Sequence, residues 1–237
     1  MYNNSVSTIT YQIIRTKKLT ANVSLKVKNG QVFVHAPFWV TKGFLEKFVA
    51  DKEAWIIKVL KSFKPAEPDK KYEEGEDHLL FGESLKLEII LADNPTRTSV
   101  LKAEDKLSIQ VYAQFDKLKR SQELKNALLM FYLEKGIEYL TEKVNFYTNL
   151  LGVDYTKVEI KKVSSIWGSC SAKNVLSFNR KLVMAPYEVI DYVVIHEVCH
   201  LKERNHSSRF WSLVFKLDKD YKQHRRWLHQ NHQLLTL

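Results

Sequence analysis

The segment His196-Glu197-Val198-Cys199-His200 has the residue types and spacing of a zinc-hydrolase site. On a helix, residues four apart lie on one face, so both imidazoles can bind one ion while the glutamate lies beside a water on that ion. A catalytic zinc ion takes three protein ligands and keeps its fourth position open for water. A third ligand must therefore come from elsewhere in the chain.

His206 is the candidate third ligand, because it follows the motif closely and is an imidazole. A straight helix would carry it away from the face shared by the first two histidines, so the chain must turn first. Asn205 tolerates the left-handed conformation that ends helices, and Ser207 or Ser208 can cap a new helix. Glu203, or a more distant carboxylate, is the competing candidate for this ligand.

The motif predicts hydrolysis by an activated water. A zinc ion lowers the pKa of its water towards ~7, and Glu197 can act as general base by taking the proton and passing it on. Cleavage of a peptide bond also needs a partner for the negative charge that develops on the carbonyl oxygen. Arg180, Tyr192 and Arg209 are the candidates for that role.

The loop 167–171, Trp-Gly-Ser-Cys-Ser, is suited to line the cleft, because it lies between two predicted strands. We name Trp167, Cys170 and Asn179 as candidate cleft contacts. Packing is the alternative role for the tryptophan, and a small buried thiol is the alternative for the cysteine. The strand Val175–Arg180 is the candidate edge strand that would align a peptide by strand addition.

Each metal-binding imidazole needs an acceptor for its other ring nitrogen, commonly a carboxylate or a carbonyl. Glu188, Asp191 and Glu203 are available near the motif, and the sequence does not choose among them.

Composition favours a cytoplasmic enzyme. The chain has 237 residues with 45% hydrophobic content, which is enough to bury a substantial core. It has no apolar run long enough to span a membrane, and its first residues lack the pattern of a signal peptide. We expect Cys170 and Cys199 to be free thiols, as is usual in a reducing compartment.

The formal charge of +10 leaves the class of partner open. The stretch from Lys202 to Arg226 contains eight basic residues against three acidic ones. Such a stretch can attract an anionic substrate such as a nucleotide, or nucleic acid. It can equally form the solvated faces of the last helices.

The apolar patterns predict an α+β fold with antiparallel β-sheet. Strands are predicted at 9–15, 23–27, 32–36, 85–92, 98–103, 107–112, 158–163 and 175–180. Asn29-Gly30 indicates a hairpin turn, and residues 65–77 are predicted to be a loop. Helices are predicted from the Thr41 cap to Leu60, over 118–151 with Gly152 at the end, and around the histidine motif.

A soft domain boundary is expected near residue 115. It would separate an N-terminal β-rich region with one helix, 1–115, from a metal-binding catalytic region, 116–237; the alternative is that both parts share a core and form one compact unit.

The chain resembles the YgjP-like metallopeptidase-domain family over nearly its whole length. The resemblance is carried by Tyr11–Arg15, Ala36-Pro37, Trp55-Ile56, Trp167–Cys170, Phe178-Asn179, Pro186, Asp191–Val194, His196–His200, Asn205–Ser207 and Phe210-Trp211. It implies a zincin-like helical core, related to SprT-like peptidases, with zinc held by His196, His200 and His206 and with Glu197 as general base. It also implies two alternatives: nucleotide pyrophosphatase activity towards uridine triphosphate, and a DNA-associated peptidase.

Two positions depart from related patterns. Metzincins have the same histidine spacing but carry glycine where this chain has Glu203, so the turn is assigned to Asn205 instead. The family commonly has Pro-Asp-Tyr where this chain reads Lys219-Asp220-Tyr221, which we expect to alter only a helix end.

Overall fold

The described residues of the computed structural model are 3–6, 9–17, 22–28, 30–62, 70–95, 97–163 and 166–236. They form an α+β protein with three mixed sheets and six α-helices, which confirms the predicted fold class. The chain divides into two structural units, Met1–Glu67 and Pro68–Leu237. None of the helices in the described ranges is both long and apolar enough to cross a membrane.

The first unit contains a four-stranded sheet followed by two helices. Its elements are β1 (Asn3–Val6), β2 (Ile9–Thr16), β3 (Ser24–Lys28), β4 (Gln31–Pro37), α1 (Lys42–Ala50) and α2 (Glu53–Ser62). The strand order is β1-β2-β4-β3, and β3 pairs with β4 as an antiparallel hairpin. Asn29 of the predicted turn lies outside the described residues. Alternate residues of β4 join both helices in one buried cluster, as the period of two predicts.

The helix predicted from Thr41 to Leu60 is two helices. The Thr41 hydroxyl accepts a hydrogen bond from the Phe44 amide at 3.4 Å, as expected of a cap. Asp51 and Lys52 then form a turn between α1 and α2. The apolar spacing continues through this turn, so it gave no sign of the break.

The second unit contains two sheets and four helices in its described part. Its first sheet has β5 (Asp77–Leu80), β6 (Glu83–Ala92), β7 (Ser99–Ala103) and β8 (Lys106–Tyr112) in the order β5-β6-β8-β7. The long helix α3 (Lys117–Leu151) follows, and Gly152 ends it at φ 63° as predicted. The second sheet has β9 (Lys157–Lys161), β10 (Gly168–Cys170) and β11 (Val175–Asn179) in the order β10-β11-β9. A 3-10 helix (Arg180–Met184) leads to α4 (Tyr187–Lys202), α5 (Ser208–Leu217) and α6 (Tyr221–Asn231).

Each sheet contains one parallel pair beside its antiparallel pairs, so the predicted antiparallel sheet is only partly correct. The parallel pairs are β2 with β4, β6 with β8, and β9 with β11. Apolar alternation tells which side chains share a face, but not the direction of the neighbouring strand. Of the predicted loop 65–77, residues 65–69 lie outside the described ranges, residues 70–76 are neither helix nor strand, and Asp77 is the first residue of β5.

The structural division lies between residues 67 and 68 rather than near residue 115. The reason is a shared core: apolar side chains of β6 and β8 belong to the same buried cluster as those of α3 and α4. Leu87, Ile109, Leu124 and Val194 are members of that cluster. A strand-rich segment and a helical segment therefore form one unit.

Gly82 allows the β5–β6 turn to pack against the start of α4. Its φ is +84°, and a Cβ at this position would lie 2.9 Å from the α-carbon of Pro186. The strained φ of an alanine costs about 1–2 kcal/mol, and the backbone overlap adds to it. We expect Gly82→Ala to lower the free energy of unfolding by more than about 2 kcal/mol, as measured by urea denaturation.

Gly75→Ala is the matched control for this variant. Gly75 has a similar φ of +77°, but nothing lies within 4 Å of the added Cβ. Gly75→Ala should therefore lower the free energy of unfolding only by the cost of the strained φ. Equal losses of stability in the two variants would contradict the role assigned to the contact with Pro186.

Candidate metal centre

Helix α4 carries the histidine motif through the interior of the second unit. The helix begins directly after Pro186, which is its cap residue, and its apolar residues are buried on nearly all sides. Val194, Ile195 and Val198 are at most 1% exposed. A helix buried in this way is fixed by packing, so its polar side chains have defined directions.

The three predicted imidazoles lie together at the end of this helix. His196, His200 and His206 each offer a ring nitrogen, and these nitrogens all lie within 4.8 Å of one another. The Nε2 atoms of His196 and His206 are 2.9 Å apart. Ligands at 2.0–2.1 Å from a tetrahedral zinc ion lie about 3.3 Å from each other, which is close to this arrangement.

The chain returns His206 to the site by a route that differs from the prediction. The helix ends at Lys202, and Glu203 takes an extended conformation at φ −128° and ψ 100°. Asn205 is not among the described residues with positive φ, so the predicted left-handed turn there is wrong. Ser207 caps α5 as predicted, and its hydroxyl accepts a hydrogen bond from the Phe210 amide at 3.3 Å.

Arg204 connects the loop between α4 and α5 to the β10–β11 turn by hydrogen bonds. Its guanidinium donates to the Ser171 carbonyl at 2.9 Å, to the Cys170 thiol at 3.2 Å and to the Asn174 side chain. These contacts span thirty or more residues of sequence. They position the segment that carries His206.

The donor set fits a divalent cation such as zinc. Burial, with the neighbouring imidazoles, lowers the pKa of His196 to about 3, and burial lowers the pKa of His200. Both rings are therefore neutral near pH 7, as metal ligands must be. The His200 Nδ1 lies 3.1 Å from the Glu203 carbonyl oxygen, which leaves its Nε2 for an ion. The acceptor found is thus a backbone carbonyl rather than a carboxylate.

Glu197 is buried beside the histidines. It is 5% exposed, and it lies against Gly168 of β10. Burial raises its pKa to about 8. Together with His196, its side chain lines a cavity of about 340 Å³. The carboxylate and one candidate metal ligand, His196, therefore line the same space.

Gly168 is required by the close approach of Glu197. A Cβ at this position would lie 2.6 Å from both Cγ and Oε1 of the glutamate, so more than the tip of the side chain would have to move. A displacement of about 1 Å at a catalytic group can cost about 10²-fold in rate. Because Glu197 is the general base that the sequence predicts, we expect Gly168→Ala to lower kcat/KM for hydrolysis by about that factor, measured with a fluorogenic peptide.

Ser169→Ala is the matched control, because Ser169 is the next residue of β10. This variant should keep wild-type activity, and both variants should bind added zinc as tightly as the wild type. A Gly168→Ala protein with activity within twofold of wild type would show that the glutamate has room to move.

Some of the residues that line this cavity were predicted from the sequence, and others were not. Trp167 and Tyr192 line it, as predicted for cleft contacts. Arg225 and His229 of α6 also line it, and neither was named as a site residue. They lie four residues apart on one helix face. Because they are far from the histidine motif in sequence, the sequence did not indicate that they lie near it in the fold.

A comparison with known proteins defines the family. The family model described as YgjP-like, metallopeptidase domain, matches residues 21–231. The chain belongs to this family. The resemblance found in the sequence motifs is thereby confirmed, and the protein is placed among the metal-dependent hydrolases. The range that matches the YgjP-like family model contains α4 and the three histidines.

One solved structure with detectable similarity is the metallopeptidase zymogen of Pyrococcus abyssi abylysin. It is 23% identical, with a TM-score of 0.36, and the match covers 38% of this YgjP-like chain and 93% of that chain. A search of curated proteins found no match.

The remaining candidate residues lie outside the cavity of Glu197. Asn179 of this YgjP-like chain is buried and donates to the Val163 and Ile166 carbonyls, each at 3.0 Å. Arg180 lines an adjoining cavity. Cys170 accepts from Arg204, and burial raises the pKa of its thiol. Arg209, on the first turn of α5, lines none of the described cavities.

Asp191 has a structural role instead of contacting a histidine. Its carboxylate accepts hydrogen bonds from Tyr139 at 2.7 Å and from Tyr147 at 3.2 Å, and it pairs with Lys143 at 3.3 Å. All three partners lie on α3. These bonds fix α4 against the long helix at the position that precedes the metal motif.

Proposed function

We propose that this protein is a zinc-dependent peptidase. His196, His200 and His206 would hold the ion, and Glu197 would be the general base. The observation that supports this most strongly is the convergence of three imidazoles beside a buried glutamate, which lines a cavity together with His196. Imidazole ligands suit zinc, and three of them are typical of a catalytic site with one open position.

When bound, the ion would supply a Lewis acid that polarises the scissile carbonyl and makes a water nucleophilic near neutral pH. Glu197 would take a proton from the attacking water at its carboxylate and deliver it to the leaving amine nitrogen. Tyr192 and Arg225 would lie beside the reacting carbonyl, where a hydroxyl or guanidinium can stabilise negative charge. The burial of Glu197 keeps bulk water away from this transfer.

Strand β10 is the element that would align a peptide. We predicted this role for Val175–Arg180, but β11 lies between β10 and β9 and has no free edge. Strand β10 is at the edge of the described sheet, and its Gly168 contacts Glu197. A substrate added to this edge would run past the catalytic glutamate.

The proposal is tested by offering the zinc-loaded protein two kinds of substrate. An unstructured protein is incubated in one reaction and uridine triphosphate in the other, each beside a Glu197→Gln control. We expect peptide cleavage that the substitution abolishes. Hydrolysis of the nucleotide alone, lost in the same variant, would replace peptidase activity with the pyrophosphatase alternative.

A further inference from the structure

A second cavity with a basic wall adjoins the one that contains Glu197. We call it the basic cavity; Lys162, Arg180 and Lys181 lie in its wall, and its volume is about 720 Å³. The Arg180 and Lys181 side chains are half-buried, since both follow directly from the buried end of β11. Partial burial strengthens the interaction of such cations with an anion.

The two cavities share part of their walls. Ile166, Trp167, Leu228 and His229 line both. A peptide whose scissile bond lies beside Glu197 can therefore place a neighbouring residue in the basic cavity. The basic cavity therefore directly adjoins the cavity of Glu197.

The positive charge of the basic cavity has no counterpart in its own wall. No aspartate or glutamate is among the described residues that line it. Elsewhere on β9, Lys157 and Lys161 each contact Glu159 at 2.7 Å. By contrast, no described carboxylate lies within ion-pair distance of Lys162 or Arg180. Lys162 and Arg180 are thus available to a ligand.

We propose that the basic cavity binds a substrate carboxylate close to the scissile bond, so that the protein prefers acidic peptides. This inference rests on the proposed peptidase function. A guanidinium such as that of Arg180 can bind a carboxylate through two parallel hydrogen bonds, and Lys162 adds a second positive charge. The carboxylate comes either from an aspartate or glutamate side chain or from the C-terminus of the peptide.

Fluorogenic peptides with blocked ends test the preference. Glutamate, glutamine or lysine is placed in turn at each position from three before to three after the scissile bond. At one position we expect kcat/KM to be at least about tenfold higher for glutamate than for glutamine, and lowest for lysine. A further peptide with glutamine throughout but a free C-terminal carboxylate distinguishes the two sources. Equal rates for glutamate and glutamine at every position, together with no gain from the free C-terminus, would overturn the inference.

Charge reversal links the preference to the cavity. Arg180→Glu and Lys162→Glu should each remove the advantage of the acidic peptide. Because Lys162 is exposed, its substitution should leave the fold intact, so misfolding would not explain a loss of preference in that variant. Lys125→Glu changes the net charge equally on the exposed face of α3, away from both cavities. An unchanged preference in the first two variants, or the same loss in the control, would contradict the assignment.

Binding separates this inference from the proposed function. Anisotropy of labelled peptides is measured with the Glu197→Gln protein, which needs no turnover. If no peptide is cleaved but the acidic peptide binds at least about tenfold tighter than the neutral one, the peptidase proposal fails and the subsite stands. Tighter binding of uridine triphosphate than of the acidic peptide, lost in Arg180→Glu, would assign the cavity to phosphate and overturn the carboxylate assignment.

Discussion

Glu197→Gln should lower kcat/KM for peptide cleavage by about 10²- to 10⁴-fold, the range contributed by general acid–base catalysis. Glutamine has nearly the same shape, but its amide cannot accept the proton of the attacking water. No other carboxylate among the described residues lines the cavity, so none can take over the role of Glu197 there. The measurement is steady-state kinetics on zinc-loaded protein, with zinc content determined by mass spectrometry.

Glu188→Gln is the matched control for this substitution. Glu188 is an exposed acidic residue in the first turn of the same helix, so the change in charge is equal. Its variant should retain wild-type kinetics. The Glu197→Gln protein should retain its zinc; if it loses zinc, or if it keeps more than about a tenth of the activity, the general-base role would be contradicted.

His206→Ala should weaken zinc binding by more than about 100-fold. Loss of a residue that merely orients a metal ligand costs up to about that factor, and loss of a ligand should cost more. The Nε2 of His206 lies 2.9 Å from the Nε2 of His196, so its removal would leave the ion with two described imidazoles. Competition with a chromophoric chelator measures the affinity.

His229→Ala is the control for zinc affinity. His229 lines the cleft but does not belong to the cluster of three histidines. Its variant should bind zinc as tightly as wild type. Undiminished affinity in His206→Ala would exclude His206 as the third ligand and return that role to the competing candidate, Glu203.

Local rules were sufficient to predict much of the site. The four-residue spacing of His196 and His200 fixes their common face on any helix, and no tertiary information is needed. The cap at Ser207 follows from the same kind of reasoning, since a hydroxyl at a helix start satisfies an amide within the next turn. The turn between α4 and α5 was predicted at the correct place but was assigned to the wrong residue. Glu203 takes an extended conformation there, and Asn205 is not left-handed.

The features that were missed depend on contacts distant in sequence. Gly168 approaches Glu197 only because β10 packs against α4, and Arg225 reaches the cleft only because α6 does. Apolar periodicity describes each element separately. The sequence contains no comparable signal for which elements become neighbours, and the parallel pairing of β9 with β11 was missed for the same reason.

The same limit explains why a boundary was expected near residue 115. Strand-rich and helix-rich stretches meet near residue 115, and the change in pattern suggested two regions. Leu87 and Ile109 of the strands nevertheless share a core with Leu124 and Val194 of the helices. A domain boundary lies where few side chains are buried between the elements on its two sides. A change of secondary structure along the chain does not indicate where that is.

Anomalous diffraction at the zinc absorption edge, from crystals of the zinc-loaded protein, would locate the ion directly. We expect one strong peak about 2.0–2.1 Å from the Nε2 atoms of His196, His200 and His206, with the Glu197 carboxylate outside the coordination sphere. A peak held by other residues, such as His229 and His232, with none between the three motif histidines, would contradict the proposed metal centre.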